Sequence, residues 1–306
     1  DEYGVNVVAR TGGTATEGGL ESGAPQSIVV DGSMLNRIIS IDPYNMQATA
    51  QCGVPLQLLE DKAREVGLTT GHSPQSKPIA SMGGLVATRS IGQFSTLYGG
   101  IEDMVVGCEV VFPGGQVSRI KNVPRRAAGP DIRHIVIGNE GALCYITEVT
   151  VKLYPVPEAM SAAVVNFPSL EAAVRTVIQT IQLGVPIARS EYLCENTIRA
   201  VNAASKLGLR EQHTLFFEFH GSEASVREQA ETVQALAAEH GGQDFEWATR
   251  PEDRNRLWDA RHKAYFSCLQ VRPGCRAIST DTCVPISRLA DSISGARRIL
   301  DTASFP

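Results

Sequence analysis

Residues 81–92 read Ser81-Met82-Gly83-Gly84-Leu85-Val86-Ala87-Thr88-Arg89-Ser90-Ile91-Gly92, a glycine pair and several hydroxyls set around a short apolar run. Glycine lacks a Cβ and tolerates positive φ, so backbone N–H groups can converge on an anion, and flanking hydroxyls add donors for phosphate oxygens. Three other segments carry the same mixture: Arg10-Thr11-Gly12-Gly13-Thr14-Ala15, Gly71 to Ser76, and Gly138-Asn139-Glu140-Gly141. Each alone is also what an ordinary turn looks like. Together they read as a dinucleotide cradle assembled from separated bends. Neither G-x-G-x-x-G nor G-x-x-x-x-G-K-[ST] occurs, which sets aside the Rossmann fingerprint and the P-loop. Nor is there a G-x-S-x-G elbow or an H-E-x-x-H pair, so the simplest hydrolase readings fall away.

Glycine also divides the chain, since 21 of the 28 glycines lie in residues 1–150. The boundary falls near Tyr154-Pro155-Val156-Pro157-Glu158, where two prolines end a strand and stiffen a linker. On the N-terminal side Val5-Asn6-Val7-Val8-Ala9, Ile28-Val29-Val30, Ala48-Thr49-Ala50, Val105 to Phe112 and Ile146 to Leu153 read as strands. One helix is expected over Leu56 to Val66, with Leu56, Leu59, Ala63 and Val66 on a face and Gly67 as its stop. Beyond the boundary the pattern alternates. Strands are expected at Ala162–Phe167, Ala188–Leu193, Thr214–His220 and Asp244–Ala248, with helices from the cap Ser169 to Gly184, over Glu195–Leu207 and over Ser222–His240. This spacing predicts a sheet with one face covered by helices.

The chain has 306 residues, 43% apolar and 20% charged, the composition of a globular protein with room for two domains. A net charge of -5 weighs against a nucleic acid partner. Cys52, Cys108, Cys144, Cys194, Cys268, Cys275 and Cys283 are odd in number and never form C-x-x-C, so neither a disulfide framework nor a zinc site is expected. Reduced thiols fit a cytoplasmic location. No run of 18 apolar residues is present, so no membrane-spanning segment is expected. The chain begins without Met inside a strand-like run and stops at Ser304-Phe305-Pro306, and it reads as a piece of a longer protein.

The run from Thr70 to Leu153 resembles the FAD-binding domain of vanillyl-alcohol-oxidase-type (PCMH-type) flavoproteins, closest to the alkyldihydroxyacetonephosphate synthase branch. The blocks that carry it are Gly71-His72-Ser73-Pro74-Gln75-Ser76, Met82 to Arg89, Tyr98-Gly99-Gly100-Ile101-Glu102-Asp103, Ala128-Gly129-Pro130-Asp131-Ile132, and Gly138 to Gly141 before Ile146-Thr147-Glu148. The second half is similar to the cap of FAD-dependent D-lactate dehydrogenases and glycolate oxidases. Its blocks are Val185-Pro186-Ile187-Ala188-Arg189, Phe217 to Gly221, Arg256 to His262, and Arg272-Pro273-Gly274-Cys275 through Ser279 to Leu289. The resemblance implies an α+β, two-domain flavoprotein. Residues 1–155 would be an α/β FAD-binding domain lacking its first β-α unit. Residues 156–306 would be a substrate or cap domain, an antiparallel sheet covered by helices, lacking its C-terminal part.

The resemblance also implies site residues. Arg10, Thr11, Gly12, Gly13, Thr14 and Ala15 would wrap the pyrophosphate. Gln75, Ser76, Ser81, Met82, Gly83, Gly84, Thr88, Arg89, Ser90 and Gly92 would continue along phosphates and flavin, and Glu140, Gly141 and Ile146 would approach adenosine and ribityl. Relatives that hold FAD covalently carry His directly after the first glycine pair; here that residue is Thr14, so dissociable FAD is expected. The implied chemistry is hydride transfer from a D-lactate- or glycolate-like 2-hydroxy acid to flavin N5, with a cation on the carboxylate and a base on the hydroxyl. Arg189 is the candidate cation, with an interface or surface salt bridge as its plain alternative. His262 is the candidate base, although a histidine packed structurally under Trp258 reads as well. The metal-binding His-x-His and Glu-His motifs of D-lactate dehydrogenases are absent, so no metal is expected. Partners would be the hydroxy acid and an electron acceptor of unspecified identity, and a homo-oligomer is compatible with these expectations. Two other functions fit: a flavin-dependent transferase like alkyldihydroxyacetonephosphate synthase, or a catalytically incomplete flavin-binding subunit.

Overall fold

The computed structural model of the protein describes residues 3–206, 208–275 and 280–303, with Ala260 described by its backbone alone. Leu207, the 276–279 stretch of the cap-like block, and the termini at 1–2 and 304–306 therefore lie outside the described residues. Contacts divide the chain into two compact units, Asp1–Val156 and Pro157–Pro306.

The first unit contains, in order, β1 (Asn6–Arg10), β2 (Ser27–Asp31), β3 (Ile38–Asp42), β4 (Gln47–Gln51), α1 (Leu56–Arg64), β5 (Leu68–Thr69), α2 (Met82–Ala87), α3 (Ser95–Tyr98), α4 (Ile101–Met104), β6 (Val105–Val111), β7 (Val117–Ile120), α5 (Arg133–Val136), β8 (Tyr145–Lys152) and β9 (Tyr154–Pro155). Strands β3-β4-β8-β6-β7 form a five-stranded sheet with antiparallel neighbours, whereas β1 and β2 pair in parallel by themselves. Leu56, Leu59 and Ala63 of α1 join Leu85 and Val86 of α2 in a core with Ala48, Ala50, Val110, Val149 and Val151. The helix at Leu56 is two residues shorter than its periodicity suggests. The turn closes when Gly67, at φ 76°, donates its N–H to the Arg64 carbonyl, and Val66 is left exposed.

The second unit contains β10 (Ala159–Phe167), α6 (Leu170–Gln182), β11 (Ile187–Leu193), α7 (Glu195–Ser205), β12 (His213–Gly221), α8 (Glu223–Glu239), β13 (Gln243–Ala248), α9 (Pro251–Val271) and α10 (Leu289–Thr302). The four strands form an antiparallel sheet in the order β11-β12-β10-β13. Ser169 caps α6 by accepting the Ala172 N–H at 3.2 Å, and Ser222 caps α8 through Ser225 at the same distance.

Helices cover both faces of this sheet, which corrects the one-face expectation. The reason is visible in β10, whose successive residues are apolar at both parities. Ala163, Val165 and Phe167 join Phe217 and Phe219 under α6 and α8, while Ala162 and Val164 join Phe216 under α7 and α9. A half-solvated strand would alternate apolar with polar. Phe167, Phe216, Phe217 and Phe219 are fully buried, each contributing roughly 1.5–3 kcal/mol of transfer free energy.

Candidate functional site

A cavity of about 300 Å³ opens in the first unit, walled by residues from four separated stretches: 9–20, Ser76, 81–90 and 140–146. That volume is at the lower end of small-molecule sites, roughly 300–1,000 Å³. The short helix α2 is the hinge of the assembly. Its first residues hang from the β4–α1 junction, with Met82 N–H donating to the Val54 carbonyl at 3.0 Å and Gly83 N–H to the Cys52 carbonyl at 2.9 Å. Two further stretches attach to its ends. Gly12 donates its N–H to Ser81 Oγ at 2.8 Å, and Glu140 donates its N–H to the Ala87 carbonyl at 3.0 Å. The Arg10 carbonyl accepts from Gly32 N–H at 2.9 Å and from the Tyr145 hydroxyl at 3.4 Å, which ties the first bend to β8.

Glycine at position 12 is a spatial requirement. A Cβ there would stand 2.5 Å from the Ile79 carbonyl oxygen and 3.0 Å from Ser81 N, closer than any side chain can approach backbone. The bend that follows offers its donors outward. Among the described residues, the N–H groups of Gly13, Thr14 and Ala15 donate to no protein acceptor. The Arg10 guanidinium lies beside Gly13, within 3.3–3.4 Å of where a Cβ would stand. Unpartnered amides, an arginine, and the hydroxyls of Thr11, Thr14, Ser81 and Ser90 form a donor set suited to a pyrophosphate. Glu17 and Glu140 are the acidic members of the wall, and Glu140 holds a left-handed φ of 49° that is uncommon away from glycine.

Of the residues implied for the cofactor, the structure brings together Arg10, Thr11, Gly12, Gly13, Thr14, Ala15, Ser76, Ser81, Gly83, Gly84, Thr88, Ser90, Glu140, Gly141 and Ile146. It places four elsewhere. Met82 is buried in the core, Gln75 is exposed outside the lining, Arg89 pairs with Glu102, and Gly92 packs on His72 and Ser73. The wall also contains Leu85 and Ala87 of the Met82–Arg89 block and, outside any motif, Leu20, Cys144 and Tyr145.

Arg189 and His262 lie in the second unit and share one stack. The Arg189 guanidinium sits 3.2 Å from the Trp258 ring centroid, and the His262 ring is 6.5 Å from Trp258 at an interplanar angle of 30°. Glu218 Oε2 accepts from Arg189 Nε at 3.0 Å and Nη2 at 2.6 Å, and Glu218 Oε1 lies 2.8 Å from His220 Nε2. Burial alone would raise the Glu218 pKa, but the His220 hydrogen bond and the Arg189 charge hold it below the ordinary value. Arg189 is thus a buried, oriented and already neutralised cation. Partial burial of the His262 ring, followed by the charges of Arg189 and Arg261, holds its pKa below the ordinary value, so the imidazole is neutral near pH 7. Among the described residues no group of three or more His, Cys, Asp or Glu could hold a metal ion, and no helix is long and apolar enough to cross a membrane.

A glycine-bend cavity beside an antiparallel sheet, followed by a second helix-covered sheet unit, defines a two-unit dinucleotide-binding protein. Two family descriptions match the chain: "FAD binding domain" over residues 1–121 and "FAD linked oxidases, C-terminal domain" over residues 156–305. The chain belongs to the FAD-linked oxidase family, and FAD is its cofactor. It is 38% identical over 307 residues to the mitochondrial D-lactate dehydrogenase [cytochrome] of Arabidopsis thaliana, covering 100% of this chain and 53% of that one. Over 150 residues it is 75% identical to the uncharacterized FAD-linked oxidoreductase YgcU of Escherichia coli K12, covering 49% of this chain and 31% of the relative. The match over the whole chain thus spans about half the length of the Arabidopsis relative, and the 150-residue match spans 31% of the Escherichia coli one. In fold it is similar to alkyldihydroxyacetonephosphate synthase, at a TM-score of 0.82 and 22% identity over 98% of this chain and 61% of that one. It is also similar to p-cresol methylhydroxylase, at a TM-score of 0.70 and 18% identity over 89% of this chain and 60% of that one.

Proposed function

We propose that the protein binds FAD non-covalently in the first-unit cavity and oxidises a 2-hydroxy acid of the D-lactate or glycolate type. In this reading residues 1–155 are the FAD-binding domain and residues 156–306 the substrate domain. The observation that carries it is the convergence on one cavity of the 9–20, 81–90 and 140–146 stretches, together with Ser76, with the Gly13, Thr14 and Ala15 amides turned to no protein acceptor among the described residues. Bound there, FAD supplies a two-electron acceptor, its flavin. Arg10, Thr11 and the three amides would hold the diphosphate, and Thr88, Ser90 and Ile146 would line the flanking groups.

Non-covalent attachment follows from the side chains that face the cavity. No histidine is in the wall among the described residues. Its thiol, Cys144, and its phenol, Tyr145, both have pKa values pushed up by burial, so neither is an activated nucleophile. In the second unit, Glu218 takes two N–H groups of Arg189 through one oxygen and so fixes the guanidinium plane. For this chemistry Arg189, although paired with Glu218, would orient the substrate carboxylate, and neutral His262 would accept the hydroxyl proton as the Cα hydride leaves. The product is the 2-oxo acid, and the electrons pass on to an external acceptor. The likeness to a D-lactate dehydrogenase [cytochrome], at 38% identity over the whole of this chain and 53% of that one, supports this substrate class.

Anaerobic mixing of the intact protein with a panel of 2-hydroxy acids tests the reading. Bleaching of the flavin band near about 450 nm by at least one acid is the expected result. An FAD-loaded protein that no acid bleaches, but that binds a phosphate ester in an Arg189-dependent way, would favour the transferase reading that the Thr70 to Leu153 motifs also allow.

A further inference from the structure

His72 is 2% exposed and makes one hydrogen-bonding contact, 3.1 Å from its Nε2 to Ser90 Oγ. Its other ring nitrogen, Nδ1, is buried with no partner. The space beside Nδ1 is closed by Gly92, where an added Cβ would stand 3.0 Å from Nδ1 and 2.7 Å from Ser73 N. A neutral imidazole carries one N–H and one bare lone pair. A buried N–H without an acceptor costs more, and is found less often, than an acceptor left bare. The proton therefore belongs on Nε2, and the Ser90 hydroxyl oxygen receives it.

A serine oxygen that accepts one hydrogen bond must turn its own hydrogen elsewhere. Ser90 has little choice of direction. Its N–H donates to the Leu85 carbonyl at 2.9 Å and its carbonyl accepts from Ile101 N–H at 3.1 Å, which pins the backbone on both sides. Ser90 itself is one of the residues that line the cavity. Nothing in the implied cofactor set includes His72, and its ring does not reach the wall itself.

We propose that His72 is a positioning residue that, as its Nε2–H tautomer, donates to Ser90 and so presents the Ser90 hydroxyl hydrogen to an acceptor atom of FAD. The proposal rests on the reading that this cavity holds FAD. Gly92, which the resemblance places among cofactor-contacting residues, leaves room for the bare Nδ1. Burial of the ring, together with the Lys77 charge, pushes the His72 pKa down to about 4 and keeps the imidazole neutral in ordinary buffers.

The first test needs no cofactor. Histidine nitrogen NMR of the wild-type protein, with His72 assigned by its loss in His72→Gln, is expected to show a neutral ring protonated at Nε2 at pH 6. A ring protonated at Nδ1, or an imidazolium, would overturn the assignment. The second test measures FAD affinity by flavin fluorescence quenching in four variants. Ser90→Ala and His72→Leu are each expected to weaken binding about tenfold, the scale of one lost hydrogen bond. His72→Gln, whose amide can still donate to Ser90, is expected to stay within about threefold of wild type. The double variant His72→Leu/Ser90→Ala is expected to bind no worse than Ser90→Ala, because the two residues act through one hydroxyl. Multiplicative losses, or a His72→Gln variant as weak as His72→Leu, would refute the coupling. Should His72→Leu fail to fold, His72→Gln and Ser90→Ala with the NMR result still decide the matter. A wild-type protein that bound no FAD at all would remove the functional reading, whereas the tautomer measurement would stand on its own.

Discussion

Gly12 donates its backbone N–H to Ser81 Oγ at 2.8 Å, joining two bends that lie 69 positions apart. This one bond registers the Arg10–Ala15 bend against the start of α2. Ser81 is buried, so the Ser81→Ala variant leaves a part-buried donor without its partner, at a cost of about 1–3 kcal/mol. A lower melting temperature and weaker FAD binding are expected together, the first from calorimetry and the second from fluorescence titration. Unchanged affinity in Ser81→Ala would show that the bend holds its shape without α2.

Gly12→Ala is expected to be more severe for binding. Its methyl would meet the Ile79 carbonyl oxygen at 2.5 Å, and backbone on that side cannot swing away as a flexible side chain can. The bend must shift, taking the Gly13, Thr14 and Ala15 amides with it. FAD affinity is expected to fall by at least about tenfold while the second unit keeps its melting behaviour.

The four-bend cradle is legible in the sequence because glycine pairs with neighbouring hydroxyls are a local signal. Which residues of a bend face inward is not. Met82, Gly83 and Gly84 are consecutive, yet on one helical turn Met82 points into the core while the glycines face the cavity, an orientation that depends on how Val54 and Cys52 receive the helix. Arg89 and Gly92 lie outside the cavity lining for a related reason. Their real neighbours, Glu102 and His72, come from other stretches. Leu20 and Tyr145 lie in no motif, so that part of the apolar wall becomes visible only when the chain is folded. In the second unit, strands β10 to β13 and the helices between them follow from periodicity, but β10 is apolar at both parities, and only the helices on each side explain why.

Glu60 anchors the strand that leads into the Gly71–Ser76 bend. Its buried carboxylate accepts from Thr69 Oγ at 2.8 Å, Thr70 N at 2.9 Å, Thr70 Oγ at 2.7 Å and Arg64 Nε at 2.7 Å. Glu60→Ala strands these donors and is expected to cost about 3–5 kcal/mol, measured by urea denaturation. Burial would raise the Glu60 pKa, yet Lys77 and the threonine hydrogen bonds hold it below the ordinary value of 4.5. Its contribution is therefore present above about pH 4.5 and lost as pH falls through the folded value.

His72 acts over a higher pH window. Its folded pKa of about 4 lies below the ordinary 6.5, so the unfolded chain takes up a proton that the folded one refuses. Stability is expected to be complete above pH 6.5 and to decline by about 3 kcal/mol on acidification towards pH 4. The His72→Gln variant should lose that slope between the two values. Denaturation midpoints at half-unit pH steps for both proteins check this, and parallel curves would contradict it.

Arg189 and Glu218 form a buried pair stacked on Trp258, so removing one partner strands the other. Arg189→Met is expected to cost about 3–5 kcal/mol of stability and to abolish turnover of the hydroxy acid while FAD affinity is retained. Melting curves, FAD titration and single-turnover bleaching separate these effects. Loss of FAD binding in this variant would place the guanidinium in the cofactor's site rather than the substrate's.

The most direct test is acid precipitation of the FAD-loaded protein after purification. The account predicts that saturating FAD raises the melting temperature, and that acid releases all the yellow colour into the supernatant. A protein that purifies colourless and gains no thermal stability from added FAD, or one whose pellet stays yellow, would contradict it.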